Sequence, residues 1–563
     1  MLALLPANAV KRLRRTDRSI WIWAVAISIV AFLILFPMGY LAYGALHTMD
    51  GEFTLDAVQN VIERDRTLRA TINSVVMGFG ATLLAVVLAV PMAWAVARTD
   101  MPFKRTVSLL VVISYVFPPF LTAFAYTLMF GPNRGLFNQW LSSAGLPTFN
   151  IYSRAGLIVA LGAHVYIFVF LTVSTALRRL DPEIEDAARI HGSGPLHTLR
   201  TITFPMVLPA ILSGCLLAFV VSQNSFGTHA FIGIPAGIRL LTTEIYSLFT
   251  FPIRFSEAAV LAWILFGIAA LATAINRGLI GKRQYVTVRG KGMRPDVVRL
   301  GRFRWVAFGY CAFVLALTLI VPTIVILMVS FLRTWGRGAV AGNFTFDWYR
   351  FIYNYDLARE AVQNSLWLGF TAATAIIVLA SIIAYIIVRS EYKVRHLLSY
   401  LSIIPLTVPG IVLAVGLIWA YINPPLALWG TLTILFIAYV TKFYPIALQV
   451  VQSSVMQVEE ELEKSARIHG ASWFKAFRTI LLPLIKPGLL AAWVMVFILS
   501  VRELAASILL QASGTSVVSV VMFSFWEEGL LEALAAFATL LMGLIILSYV
   551  AVTKLAGRDF FEQ

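Results

Sequence analysis

Charge is scarce in this sequence. Only 13% of its 563 residues are charged, against 60% hydrophobic, and the mean hydropathy is +0.84. That balance excludes a soluble domain of ordinary composition. Cysteine is almost missing: Cys215 and Cys311 are the two present, each inside or beside an apolar run. A disulfide framework and a thiolate metal site are excluded, and buried thiols remain. No GxxxxGK[ST] phosphate loop, HExxH, CxxC or GxSxG nucleophile elbow occurs. The chain therefore carries no recognisable nucleotide-binding, zinc-protease or acyl-transfer chemistry of its own, and it is not expected to be an enzyme.

What is abundant is long apolar segments. Crossing a bilayer takes roughly 20 apolar residues, because lipid offers the backbone no partner and a helix satisfies it internally. Such runs lie near 21–46, 73–98, 107–130, 155–176, 206–222, 258–275, 304–331, 364–389, 397–422, 429–450, 487–508 and 533–553. The expected fold is an all-α polytopic membrane protein of about twelve transmembrane helices. The first run exceeds the short apolar region of a cleaved signal and is read as a retained span.

Basic residues outnumber acidic ones, 44 to 28, for a net charge of +16. No basic stripe is interleaved with aromatics on a soluble region, so nucleic acid is not an expected partner. Membrane topology explains the excess. With the N-terminus inside, most Lys and Arg fall in cytoplasmic segments, among them Lys11, Arg12, Arg14, Arg15 and Arg18, and the connector from Arg277 to Arg304. Both termini are thereby expected in the cytoplasm, and the basic tracts lie within reach of anionic lipid heads.

The chain repeats itself. Phe53-Thr54-Leu55-Asp56 returns as Phe344-Thr345-Phe346-Asp347, and Asn73, Arg98 and Pro118 return at the same separation as Asn364, Arg389 and Pro409. Beyond a shorter loop at Asn423–Trp429, in place of Gly131–Arg154, a second constant separation relates Arg189-Ile190-His191-Gly192 to Arg467-Ile468-His469-Gly470. Six spans per half give both halves one orientation, a parallel repeat with a pathway expected between them. The expected organisation is a basic N-terminus (1–20), a first half (21–275), a basic linker (276–303) and a second half (304–563).

The densest match between halves is a cytoplasmic loop, at 181–209 and 459–487. Glu185, Ala188, Arg200, Thr201, Ile202, Pro205 and Pro209 recur as Glu463, Ala466, Arg478, Thr479, Ile480, Pro483 and Pro487, beside the Arg-Ile-His-Gly run. A loop repeated so closely points to a shared partner. Asp181 and Pro182 suit a helix start, and Gly192 suits its left-handed end. A helix of about ten residues is marginal alone and needs something to pack against. Ala187 and Ala188, like Ser465 and Ala466, permit close approach, and Ile190 offers an apolar contact. A second short helix is expected near 194–203, closed by Pro205.

These residues resemble the EAA loop of inner-membrane permeases of binding-protein-dependent ABC importers. The pattern reads Asp186-Ala187-Ala188 to Gly192, Ile202 and Pro205, and again Lys464-Ser465-Ala466 to Gly470, Ile480 and Pro483. Lys464 departs from the acid, although Glu463 adjoins it. The resemblance implies a type I ABC importer permease fold in a bacterial inner membrane. It also implies two ATPase subunits docked on the loops, ATP and Mg bound by those subunits with no cofactor in this chain, and an external binding protein in the periplasm or outside the cell.

Ionisable residues in spans are costly and become pathway candidates. Arg502 and Glu503 are read in the outer part of the eleventh span, either as pathway groups or as a structural ion pair or snorkelling Arg. Their counterparts around Asn224, with His229 nearby, are uncharged. Pro118, Pro119 and Pro409 are expected to kink their spans. The stretches 226–235, 241–246, 502–504 and 526–529 resemble the fused permeases of ferric iron importers. The same wider group handles phosphonates, sugar phosphates, thiamine and polyamines. Ferric iron favours hard oxygen ligands, which Glu244, Glu503, Glu527 and Glu528 offer. The rival reading is an ion-coupled secondary transporter with a 6+6 repeat.

Overall fold

The computed structural model describes residues 19–132, 134–282, 297–389 and 394–556. Nearly all of the basic segment 1–20, the middle of the linker 276–303 and the last residues of the second half lie outside this set. Among the described residues the fold is helical, with three isolated β-bridges. Ten helices are long and apolar enough to cross a membrane, and two bent helix pairs raise the number to twelve if each pair counts as one span.

The first half comprises α1 (Ser19–Leu46), α2 (Asp65–Arg98), α3 (Lys104–Val116), α4 (Pro119–Phe130), α5 (Arg154–Arg179), the short α6 (Pro182–Ile190), α7 (Phe204–Gln223) and α8 (Phe255–Lys282). The second repeats the order. It runs from a span over Gly301–Ser330 that ends in α9 (Val321–Ser330), through α10 (Asp356–Arg389), α11 (Val394–Thr407), α12 (Gly410–Tyr421), α13 (Leu432–Met456), the short α14 (Glu460–Ile468) and α15 (Leu482–Val501), to α16 (Leu531–Ala556).

In each half three helices pack mutually as a core: α2, α5 and α7, and again α10, α13 and α15. Small residues let them approach. Gly162 sits against Leu84 and Gly214 against Val169, where an added Cβ would clash. The first span of each half crosses to the other half's bent pair, α1 onto α12 and α9 onto α4. Gly44 makes room for Trp419, and Gly416 for the Pro37 backbone.

The expected kinks are sharper than ordinary proline kinks. The α3–α4 and α11–α12 pairs turn by 98° and 106° at Pro118 and Pro409, each of which starts a new helix as its N-cap. Proline removes a donor and clashes with the preceding turn, so the helix restarts at a new angle. Three span boundaries also differ from expectation. The second and eighth spans begin earlier, at Asp65 and Asp356, because polar first turns extend beyond the apolar run. The eleventh stops at Val501, and short helices Ser507–Leu510 and Val518–Glu527 follow before α16.

Candidate functional site: the paired loops and the seam between halves

Helix α6 starts as its residues dictate, with the Asp181 carboxylate accepting the Glu183 N–H at 3.0 Å. It ends at Gly192, whose φ of +81° lies in the left-handed region, and the Ser193 N–H returns to the Ala188 carbonyl. In the second copy Gly470 has φ +88°, and Ala471 N–H returns to Ala466. Both are glycine-dependent helix stops.

Two charges invisible as a pair in the sequence anchor each loop. Arg98, at the last turn of α2, is 2% exposed and bonds the buried Glu185 carboxylate, whose other oxygen accepts the Thr203 hydroxyl at 2.7 Å. In the second half Arg389, at the end of α10, donates through Nε to buried Glu463 at 3.1 Å and also reaches the Val455 and Val458 carbonyls. A buried ion pair holds when extra hydrogen bonds satisfy its remaining groups. Thr203 does this for Glu185 and the two carbonyls for Arg389, while Arg98 Nη1 is buried with no hydrogen-bond partner. The duplicated Glu thus turns inward and fixes the loop to the span.

On the open surface, apolar side chains stand exposed among the charged ones. Ile190 is 84% exposed and Ile468 is 83% exposed at matching positions, and Ile184 and Leu462, another matched pair, are also exposed. Ala187 and Ser465 are exposed, while Ala188 and Ala466 are half-buried. The side chain of Asp186 lies outside the described set. Lys464 points to solvent, paired with Glu460 at 3.1 Å one turn earlier.

The expected second short helix does not end at Pro205. Pro195–Thr198 runs through a wider π-turn, Leu199–Thr203, directly into α7, and Trp473–Ala476 runs through Phe477–Leu481 into α15. Pro205 and Pro483 lack an N–H and follow directly on the widened turns, whose closing bonds run from the Phe204 N–H to the Leu199 carbonyl and from the Leu482 N–H to the Phe477 carbonyl. Each proline thus sits in the first turn of the span's α-helix. The loop is therefore joined rigidly to the next span.

At the seam, Arg502 and Glu503 occupy the turn after α15 and lie beyond the span in which the sequence placed them. Arg502 is buried and donates to the carbonyls of Tyr115 (2.6 Å) and Phe117 (3.1 Å), where α3 of the other half breaks, with its cation 5.1 Å from the Tyr115 ring. Glu503 accepts from Lys442 at 2.6 Å and from the Ala506 N–H. In the first half His229 is buried against the Thr242 hydroxyl at 2.7 Å, and Asn224 Oδ1 is buried with no hydrogen-bond partner.

The four carboxylates considered for iron are dispersed in their bonding. Glu244 is taken by Arg66 and Arg239, Glu503 by Lys442, and Glu527 by the Tyr246 hydroxyl at 3.3 Å, while Glu528 is exposed. Burial raises the Glu527 carboxyl above its ordinary range, against the lowering effect of that hydrogen bond. Burial first, then the Glu527 charge, pushes the Tyr246 hydroxyl up to about 12. Among the described residues, no three His, Cys, Asp or Glu gather as a metal site.

Residues 81–281 and 376–561 each match the family described as the binding-protein-dependent transport system inner membrane component. The chain is 25% identical over 535 residues to the ferric transport system permease protein FbpB of Actinobacillus pleuropneumoniae, covering 92% of this chain and 75% of that one. It is 26% identical to the Fe(3+)-transport system permease protein FbpB 2 of Haemophilus influenzae, over 70% of this chain and 75% of the relative. A Salmonella typhimurium permease named PhnU, for 2-aminoethylphosphonate transport, is 29% identical over 39% of this chain and 77% of its own length. With the family's domain present twice along one membrane-spanning polypeptide, this chain belongs to the inner membrane components of binding-protein-dependent transport systems.

Proposed function

We propose that this chain forms the translocation pathway of an ATP-driven importer for ferric iron. ATP and Mg are held by two separate ATPase subunits, and an external binding protein delivers the cargo. The observation that carries the ATPase reading is the matched pair of short helices α6 and α14. Each is fixed inward by a buried Arg–Glu pair and presents an exposed isoleucine outward. Covering one isoleucine is worth about 1.5–3 kcal/mol, so two equal helices suit two equal partners. The π-turns then carry a push on the loop into α7 and α15 without a flexible joint.

Ferric iron as cargo is supported by the names of the relatives matched along most of this chain. A phosphonate is the second reading, favoured by PhnU, whose match covers less of the chain at higher identity. Reconstitution with ATPase subunits and a loaded binding protein separates them. Ferric-loaded protein is expected to raise ATP hydrolysis, and a response only to 2-aminoethylphosphonate-loaded protein removes the iron assignment. Ile190→Asp with Ile468→Asp is expected to abolish that response while the subunit still inserts.

A further inference from the structure

At the end of α2 remote from Arg98, roughly 50 Å away along the helix axis, lies a cavity of about 480 Å³. Arg64, Arg66 and Arg254 line it with Glu244 and Glu257. Arg64 and Arg254 both bond Glu257, and Arg66 and Arg239 both bond Glu244. The carboxylates are buried while the guanidinium groups stay about half exposed. Four arginines over two carboxylates leave two positive charges unbalanced at this corner. Phe251, on the same lining, is 97% exposed.

The repeat provides an internal control on whether the fold needs this cluster. Two matched bonds set the register: the Ser74 hydroxyl accepts the Leu241 N–H, and Asn73 donates to the Arg239 carbonyl. In the second half the Ser365 hydroxyl accepts the Val518 N–H, and Asn364 donates to the Ser516 carbonyl. On that register, Tyr355, Leu357, Ser516 and Val521 stand where the first half has Arg64, Arg66, Arg239 and Glu244. Counted from the starts of α8 and α16, Leu530 and Ala533 stand for Arg254 and Glu257. Tyr355 packs on the rings of Phe351 and Phe525. The same corner is thus built without any of these charges, so packing does not require them.

We infer that this arginine cavity is the docking site for acidic side chains of the external binding protein, a conclusion that rests on the importer reading above. Charge complementarity supports it, as does the pairing of arginine with a fully exposed aromatic, the composition of interface anchors. Symmetry supports it too. The loops that would meet two identical ATPases are alike, whereas one binding protein has no two-fold axis and is best met by a surface present in one half only.

The test measures ATP hydrolysis by the reconstituted full transporter against the concentration of ferric-loaded binding protein. The variant Arg64→Tyr, Arg66→Leu, Arg239→Ser, Glu244→Val, Arg254→Leu, Glu257→Ala transplants the second half's solution and removes the excess positive charge, and Arg254→Gln is a milder second probe. Both are expected to keep basal hydrolysis. The half-saturating concentration of binding protein should rise about tenfold for the first and less for the second, with a flatter dependence on salt. Unchanged half-saturation and salt dependence in Arg254→Gln and in the transplant would overturn the docking site. So would inorganic phosphate that binds at the cavity yet leaves the binding protein's half-saturation unaltered. Failure of any binding protein to stimulate the unmodified transporter would instead remove the importer reading.

Discussion

Arg98 holds a full charge at 2% exposure because Glu185 sits against it, and Glu185 in turn is held by Thr203. Removing one partner leaves an uncompensated buried charge. Arg98→Ala is expected to cost about 3–5 kcal/mol, read as a lower melting temperature of the purified chain, and Arg98→Ala with Glu185→Ala should recover part of that loss. A double variant as unstable as the two single losses added together would show that the pair is not coupled. The residues of this pair were conspicuous in the sequence, since Arg98 and Arg389, and Glu185 and Glu463, each recur. Their bonding was not legible, because the partners lie 87 positions apart on different elements. Arg502 and Glu503 show the converse. Adjacent in sequence, they left pathway groups, a mutual ion pair and a snorkelling Arg all open; in the structure Glu503 takes Lys442, and Arg502 takes two carbonyls of the other half. Arg502→Gln is expected to cost about 1.5–3 kcal/mol by weakening bonds from a charged donor, measured by thermal melting, and to slow transport.

Among elements, the short helices α6 and α14 are where the reading of start and stop signals worked best. Asp181, Gly192 and Gly470 do what their chemistry allows. Gly192→Ala and Gly470→Ala force a side chain into a left-handed conformation at about 1–2 kcal/mol each. Gly192→Pro or Gly470→Pro cannot reach it at all, since proline fixes φ near −65°. The proline variants are expected to insert normally and, assembled with the ATPase subunits, to leave ATP hydrolysis running while uptake is lost; normal uptake in both would remove the coupling role. What failed at this scale was the end of the second short helix. Pro205 reads as a terminator, but a π-turn carries the helix into it, and no local pattern announces such a turn. The bent pairs α3–α4 and α11–α12 were visible as prolines inside apolar runs. Their angles of 98° and 106°, and the first span of the opposite half that packs against each pair, were not.

For the molecule as a whole, the duplication was the most legible feature, because spans tolerate no insertions and two constant separations survive along the chain. The exchange of α1 and α9 between halves was not legible, since an apolar span carries no mark of which neighbour it will choose. The repeat explains why one polypeptide presents two similar loops on one side, and its departures from symmetry identify the arginine cavity at the other. The central claim is that these loops transmit ATP hydrolysis to a pathway between the halves. The direct measurement is uptake of iron into proteoliposomes holding this chain, its ATPase subunits and ferric-loaded binding protein, in the presence and absence of ATP. Uptake should require ATP, survive collapse of ion gradients, and vanish in Ile190→Asp with Ile468→Asp; uptake driven by an ion gradient without ATP would contradict the account.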